Sequence, residues 1–290
     1  MKSKILVPVD FSPHTMASCR YALSLASLLN MDILLFHSFF DQIYFSDGGF
    51  STGFETGIMM TDELILDFYK QKEARMETIA GELRSSSVKE GNAEVSVQCQ
   101  MESGDPEVQI LNAIERVKPR LIVMGSGGIG RKSILSGSVA RRIMDHTSVP
   151  VIAVPNIGLP ENVNEIAYMT NFESYDTLAI AEIDALLSPL PISIHCVHVC
   201  QSQNDADAKM AMESLSKKEI PSRTATIISF TVISGDESEA ALEKFLEQFN
   251  INLIAFIPHK RNVFKNLLRQ NITKDDLFLT RIPIMAIPSR

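Results

Sequence analysis

Thr147-Ser148-Val149-Pro150-Val151-Ile152-Ala153-Val154-Pro155 is echoed near the end of the chain by Thr280-Arg281-Ile282-Pro283-Ile284-Met285-Ala286-Ile287-Pro288. Each is a short apolar run entered through a proline, the pattern of a strand buried on both faces. Working outward, four more pairs recur in the same order. Ile5 to Asp10 returns as Ile166 to Asn171, and Ile33 to His37 as Ile194 to His198. Ser103-Gly104-Asp105 returns as Ser234-Gly235-Asp236, and Leu121 to Met124 as Leu253 to Phe256. The offset is 161 at the first two pairs and 131 to 133 at the later ones. The second copy is therefore shorter between its second and third strands, where the first copy has a long Gly-, Ser- and Phe-containing loop over 41–57. A period this long marks a duplicated domain, not a solenoid unit.

Between the strand-like runs lie helical patterns. Ser12-Pro13 offers an N-cap and a first-turn proline, and Cys19, Ala22, Leu23, Ala26 and Leu29 follow on one face. A second helix is expected over about Thr61 to Ser85, and a third strand over Val95–Cys99. Alternating strands and helices imply βαβ units, a parallel sheet and right-handed crossovers that place helices on both faces. The expectation is α/β, with two similar doubly wound domains, each a five-stranded parallel sheet flanked by helices. They would occupy 1–155 and 162–290, with a Gly- and Pro-containing linker from Asn156 to Glu161.

Composition narrows the function. The chain has 290 residues, 45% hydrophobic and 21% charged, enough for two cores. Its 35 acidic against 27 basic residues give a net charge of −8, which disfavours direct nucleic-acid binding. No apolar run approaches the ~20 residues of a membrane span, and the N-terminal apolar run is too short for a signal-peptide core. Cys19, Cys99, Cys196 and Cys200 form no CxxC pair, so free thiols in a cytoplasmic protein are expected. On a strand, Cys196, His198 and Cys200 would share a face, but the outer two would stand ~13 Å apart, too far for one zinc ion.

In an open parallel sheet, ligands bind beyond the carboxyl ends of the strands. Asp10, His37-Ser38 and the segment Gly125 to Ser138 would all lie there. Two glycine groups in that segment let backbone N–H groups approach an anion, and the second opens a helix whose N-terminus favours phosphate. Adenosine would lie across the first two strand ends, with Asp10 as an acceptor. Gly125-x-Gly127-x-x-Gly130 has the GxGxxG spacing but follows the fourth strand. The near match to a Walker A loop carries Arg131 at the lysine position. A glycine-rich turn that binds nothing is the plain alternative. Asp105 and Asp236 read as N-caps, and no partner base stands beside Asp10 to make it catalytic.

These residues resemble the universal stress protein family over nearly the whole chain, in two copies. The resemblance rests on Val7-Pro8-Val9-Asp10-Phe11-Ser12, the strand ending at His37, and Met124-Gly125…Gly128…Gly137-Ser138 before Val149-Pro150-Val151. It implies a five-stranded sheet that pairs through its last strand, which a tandem chain can do internally, with a possible homodimer besides. It implies ATP, or ADP or AMP, as cofactor, with Mg²⁺ on the phosphates. Pro8, Val9, Asp10, Ser38 and Met124 would border adenine and ribose. Gly125, Gly128, Gly137, Ser138 and Val139 would contact ribose and phosphates. ATP-binding members carry Gly-x2-Gly-x9-Gly-[Ser/Thr], whereas eight residues separate Gly128 from Gly137 here. In the second copy Asn171 replaces the Asp, and Ile257 to Leu268 holds no glycine. The implied role is nucleotide binding in stress response or signalling. The alternatives are a ligand-free dimerisation module and a slow ATPase.

Overall fold

The computed structural model describes residues 2–12, 15–39, 62–89, 95–126, 139–155, 162–200, 205–221, 226–235, 238–258 and 282–289. The first half runs β1 (Lys4–Pro8), α1 (Thr15–Leu29), β2 (Asp32–Phe39), α2 (Asp62–Lys89), β3 (Val97–Ser103), α3 (Pro106–Val117), β4 (Leu121–Gly125), α4 (Val139–His146) and β5 (Val151–Val154). The second runs β6 (Glu165–Met169), α5 (Asp176–Leu187), β7 (Ser193–Cys200), α6 (Asp205–Ser216), β8 (Ile227–Ser234), α7 (Ser238–Gln248), β9 (Leu253–Phe256) and β10 (Ile284–Ala286).

Both halves use one strand order. The first reads β3-β2-β1-β4-β5 and the second, from the far edge, β8-β7-β6-β9-β10. Within each half the pairings are parallel. Central strands need near-continuous apolar runs because helices cover both faces. Ile5, Leu6, Val7, Leu121, Ile122 and Val123 accordingly have no exposure. One core layer lies under α1, α2 and α5, and the other under α3, α4 and α7.

The two sheets are joined into one of ten strands. The seam is antiparallel, with Ile284 opposite Ala153, Met285 opposite Ile152 and Ala286 opposite Val151. The two strands, β5 and β10, belong to the echoing apolar runs near Pro150 and Pro283. Ile152 and Met285, equivalent positions in the two copies, face each other at its centre, as a two-fold relation requires. A groove of about 620 Å³ opens beside the seam, between Arg120, Val149 and Pro150 of the first half and Tyr175, Leu178 and Glu182 of the second. Arg120 Nη2 bridges it to the Ala185 carbonyl at 2.6 Å. It lies at the amino ends of β4 and β5, opposite the rim where ligands of such sheets bind.

Three expectations change. The third strand runs two residues later than Val95 and continues to Ser103, because β3 is an edge strand. Polar Gln98, Gln100 and Glu102 can alternate along it while its ladder with β2 continues. The helix expected to stop at Ser85 runs on to Lys89. The length missing from the second copy comes from helix as well as loop, since α6 has 12 residues where α2 has 28. The linker expected at Asn156 to Glu161 lies outside the described residues. The Ser-Gly-Asp turns keep the same backbone, with Gly104 at φ 131° and Gly235 at φ 136°. Asp105 caps α3, accepting from the N–H groups of Glu107 and Val108 at 3.0 and 3.1 Å.

Candidate functional site

The carboxyl ends of β2, β1 and β4 lie side by side. The chain leaves β1 for α1 on one face and enters α4 on the other after β4. Adjacent strands whose connections depart to opposite faces leave a crevice between them. Pro8, Val9 and Asp10 form one lip and Met124, Gly125 and Ser126 the other, with Ser38 one strand further out. Val9 N donates to Phe36 O at 2.8 Å, and Ser126 N to Val154 O at 2.9 Å, so the ladder is maintained up to the rim. Val9 and Met124 are buried, Pro8, Ser38 and Gly125 are half-buried, and Asp10 is exposed. Val139 is the first residue of α4. Gly128, Gly137 and Ser138, and the insert over 41–60, lie outside the described residues.

Asp10 is held by its own turn. Its Oδ1 accepts from Ser12 N–H and from the Thr15 hydroxyl, both at 2.9 Å. This ties the end of β1 to the first turn of α1 and orients the carboxylate. Both bonds fall on one oxygen. The sequence pointed to Asp10 as a rim residue but not to its tie to Thr15 in the first turn of α1.

The next residue is strained. Phe11 has φ 58°, which is uncommon for a bulky side chain. Its ring rests on His37 with centroids 4.3 Å apart. His37 donates from Nδ1 to Val9 O at 2.7 Å, because a carbonyl can only accept. Its Nε2 is then the bare acceptor nitrogen, buried and without a partner among the described residues. Lys72 stands 5.1 Å from the Phe11 ring centre, and Arg75 Nη2 donates to Phe11 O at 3.3 Å. Burial pushes the His37 pKa below its ordinary value. Lys72 and Arg75 add to that, while the Val9 carbonyl and Asp10 oppose it.

The second half repeats this frame with its acid moved. Phe172 has φ 61° and packs on His198 at 4.4 Å, and His198 Nδ1 donates to Thr170 O at 2.8 Å. His198 thus keeps a fold position, as His37 does. At the place of Asp10 stands Asn171, and at the place of Thr15 stands Asp176. Asp176 is 1% exposed. It accepts from the Tyr168 hydroxyl at 2.7 Å and from the Thr170 hydroxyl at 2.5 Å. The carboxylate–hydroxyl tie between strand and helix survives, reversed, with the acid facing inward instead of toward the rim. Among the described residues no group of three His, Cys, Asp or Glu side chains is placed to hold a metal ion. No helix among them is long and apolar enough to cross a membrane.

The paired histidines predict an acid sensitivity. Burial lowers the pKa of both His37 and His198 in the fold. The unfolded chain therefore binds protons more readily, and stability rises with pH through this range. It should be full above the ordinary value of 6.5 and fall as pH drops through 6.5 toward the lowered folded-state values. Urea midpoints between pH 8 and pH 5 should show this fall, and a His37→Phe, His198→Phe double variant should show a shallower one.

The family model described as "Universal stress protein family" matches residues 1–155, more than half of the chain. The chain belongs to the universal stress protein family. A universal stress protein from Archaeoglobus fulgidus DSM 4304 is similar along the whole length, with 16% identity and a TM-score of 0.65, covering 99% of this chain and 96% of that one. A putative universal stress protein from Pseudomonas aeruginosa UCBPP-PA14 matches at 12% identity and a TM-score of 0.54, covering 99% and 93%. At such identities these likenesses show the fold, here in its two-unit form. No curated protein matches the sequence. The family's fold thus accounts for the crevice, and the two rims differ in which residue carries the carboxylate.

Proposed function

We propose that this universal stress protein binds one adenine nucleotide, ATP or its di- or monophosphate, at the rim of the first half, in a stress-response or signalling role. The observation that carries the reading is the crevice between β1 and β4, with an exposed, oriented Asp10 on one lip and Gly125 on the other. Pro8, Val9, Asp10, Ser38 and Met124 would border adenine and ribose, with Asp10 accepting from hydroxyl or amino groups. Gly125, Gly128, Gly137, Ser138 and Val139 would meet ribose and phosphates, whose charge the α4 N-terminus favours. Mg²⁺ would sit on the phosphates. In the domain scheme 1–155 carries the site, and 162–290 is a degenerate copy with a structural or regulatory part.

Nucleotide released by denaturing freshly purified protein, identified by mass spectrometry, tests the ligand class. An adenine nucleotide near stoichiometric amount is expected. Protein that releases none, and takes up none when dialysed against ATP, contradicts the proposal. That second result is the one expected if both halves are ligand-free. The inward-turned Asp176 is the observation that favours such a role for the second half alone.

A further inference from the structure

Far from the rim, at the amino ends of β6, β7 and β8, three side chains form a relay. His195 Nδ1 lies 2.8 Å from Ser229 Oγ, and its Nε2 lies 3.0 Å from Glu165 Oε2. The other Glu165 oxygen accepts from the Ser193 hydroxyl at 3.3 Å. A neutral imidazole that donates from Nε2 to the carboxylate leaves its Nδ1 lone pair for the serine O–H. This is nucleophile, base and orienting acid in hydrogen-bond sequence. The histidine is pinned from its other side by Phe245 and Phe249, with ring centres at 5.9 and 4.7 Å.

The surroundings suit an acyl group. β8 ends the sheet. Ile227 N–H reaches Ile192 O and Gly235 N–H reaches Cys200 O, so odd-numbered residues of β8 bond to β7. The N–H of Phe230, directly after Ser229, therefore faces away from β7. It is a backbone donor one residue from the serine, placed to meet a developing oxyanion. Ile227, two residues before Ser229 on the same face of β8, is 68% exposed, and Phe249 is 37% exposed. Ile227 shares the Ser229 face of β8 and Phe249 packs on His195, so exposed apolar side chains flank the relay.

The first half lacks this array. At the positions of Glu165, His195 and Ser229 it carries Lys4, Leu34 and Gln98, and the lysine ammonium simply bonds the Gln98 side chain at 2.8 Å. A polar tie across the strands is common to both copies. A base and a nucleophile occur in the second alone.

We propose that Ser229, His195 and Glu165 form an acyl-transfer site that hydrolyses small, uncharged carboxylic esters, independently of the nucleotide site. Ser229 Oγ bonds to the ester carbonyl carbon as its proton passes to His195 Nδ1. The carbonyl oxygen takes the electron pair and is met by Phe230 N–H. Collapse breaks the bond to the alkoxy oxygen, which leaves with the proton from His195 as an alcohol. Water then repeats the sequence on the acyl-serine and releases the acid. Ser229 and His195 are the catalytic residues, and Glu165 is a positioning residue that acts through the imidazole.

The intact chain is assayed with p-nitrophenyl acetate and butyrate and treated with a fluorophosphonate probe, followed by peptide mapping. Wild type is expected to turn over the esters and carry the probe on Ser229. Ser229→Ala should lose the label and at least ~100-fold in hydrolysis rate, the low end for losing an assisted nucleophile. Its unfolding transition should stay in place. Glu165→Gln can present its amide N–H to Nε2 and so reverse the imidazole tautomer, so kcat should fall with KM unchanged, and Glu165→Asp should recover part of the loss. Folded wild type that resists the probe, or hydrolysis unchanged by Ser229→Ala, overturns the site. A Glu165→Gln variant that keeps the wild-type kcat, or one whose loss Glu165→Asp does not recover at all, removes the positioning role.

Discussion

Met285→Asp is expected to destabilise the second half by about 3–5 kcal/mol and to open the seam. Met285 has no exposure and lies at the centre of β10, between Ile152 across the antiparallel seam and Ala255 across the parallel pair. A carboxylate there loses its water beside the apolar Ile152 and Ala255. Breaking into a buried site in this way costs about 3–5 kcal/mol, a large share of the ~5–15 kcal/mol that holds an ordinary domain together. Met285→Leu keeps the volume and should cost less than about 1.5 kcal/mol. Urea unfolding of the pair separates the seam from a general loss of packing. The aspartate variant should lose its cooperative transition or split it in two, while the leucine variant retains one near wild type.

The second large effect belongs to Asp176→Ala, expected to destabilise by about 3–5 kcal/mol. Two hydroxyls, of Tyr168 and Thr170, share this buried carboxylate, and bonds to a charged acceptor contribute about 1.5–3 kcal/mol each. Tyr168 is fully buried and would be left with an unsatisfied O–H. Asp176→Asn keeps one acceptor oxygen and should lose less. The equivalent tie in the first half involves an exposed carboxylate, so Thr15→Ala should cost only about 1 kcal/mol. Thermal unfolding of the three variants tests the ordering. Asp176→Ala as mild as Thr15→Ala would show that the inward acid is not what secures the second rim.

The duplication was legible because strand ends are written in apolar runs and turn glycines, and both survive in both copies. The rim position of Asp10 was legible because it directly follows the apolar run Ile5 to Val9, which reads as a buried strand. The seam was not fixed by its own residues. Two apolar last strands could pair with each other or with a second molecule, and the chain alone does not choose. Asp176 was missed for a different reason. An acid in a helix's first turn reads as a solvated end, and its burial depends on hydroxyls six and eight residues earlier whose direction only the packed strand sets. The Ser229–His195–Glu165 relay spans three strands with 30 to 34 residues between neighbours. No local pattern announces it. Register alone brings it together.

On the proposed function, the two halves share a fold and the first alone holds a nucleotide. Calorimetric titration of the full chain with ATP and Mg²⁺ tests it most directly, with Asp10→Asn and Asn171→Ala run beside wild type. One site per chain is predicted, weakened at least about tenfold by Asp10→Asn, the ~1.4 kcal/mol expected of a charged acceptor, and unchanged by Asn171→Ala. Two equivalent sites, no binding, or a loss that follows Asn171 would contradict it.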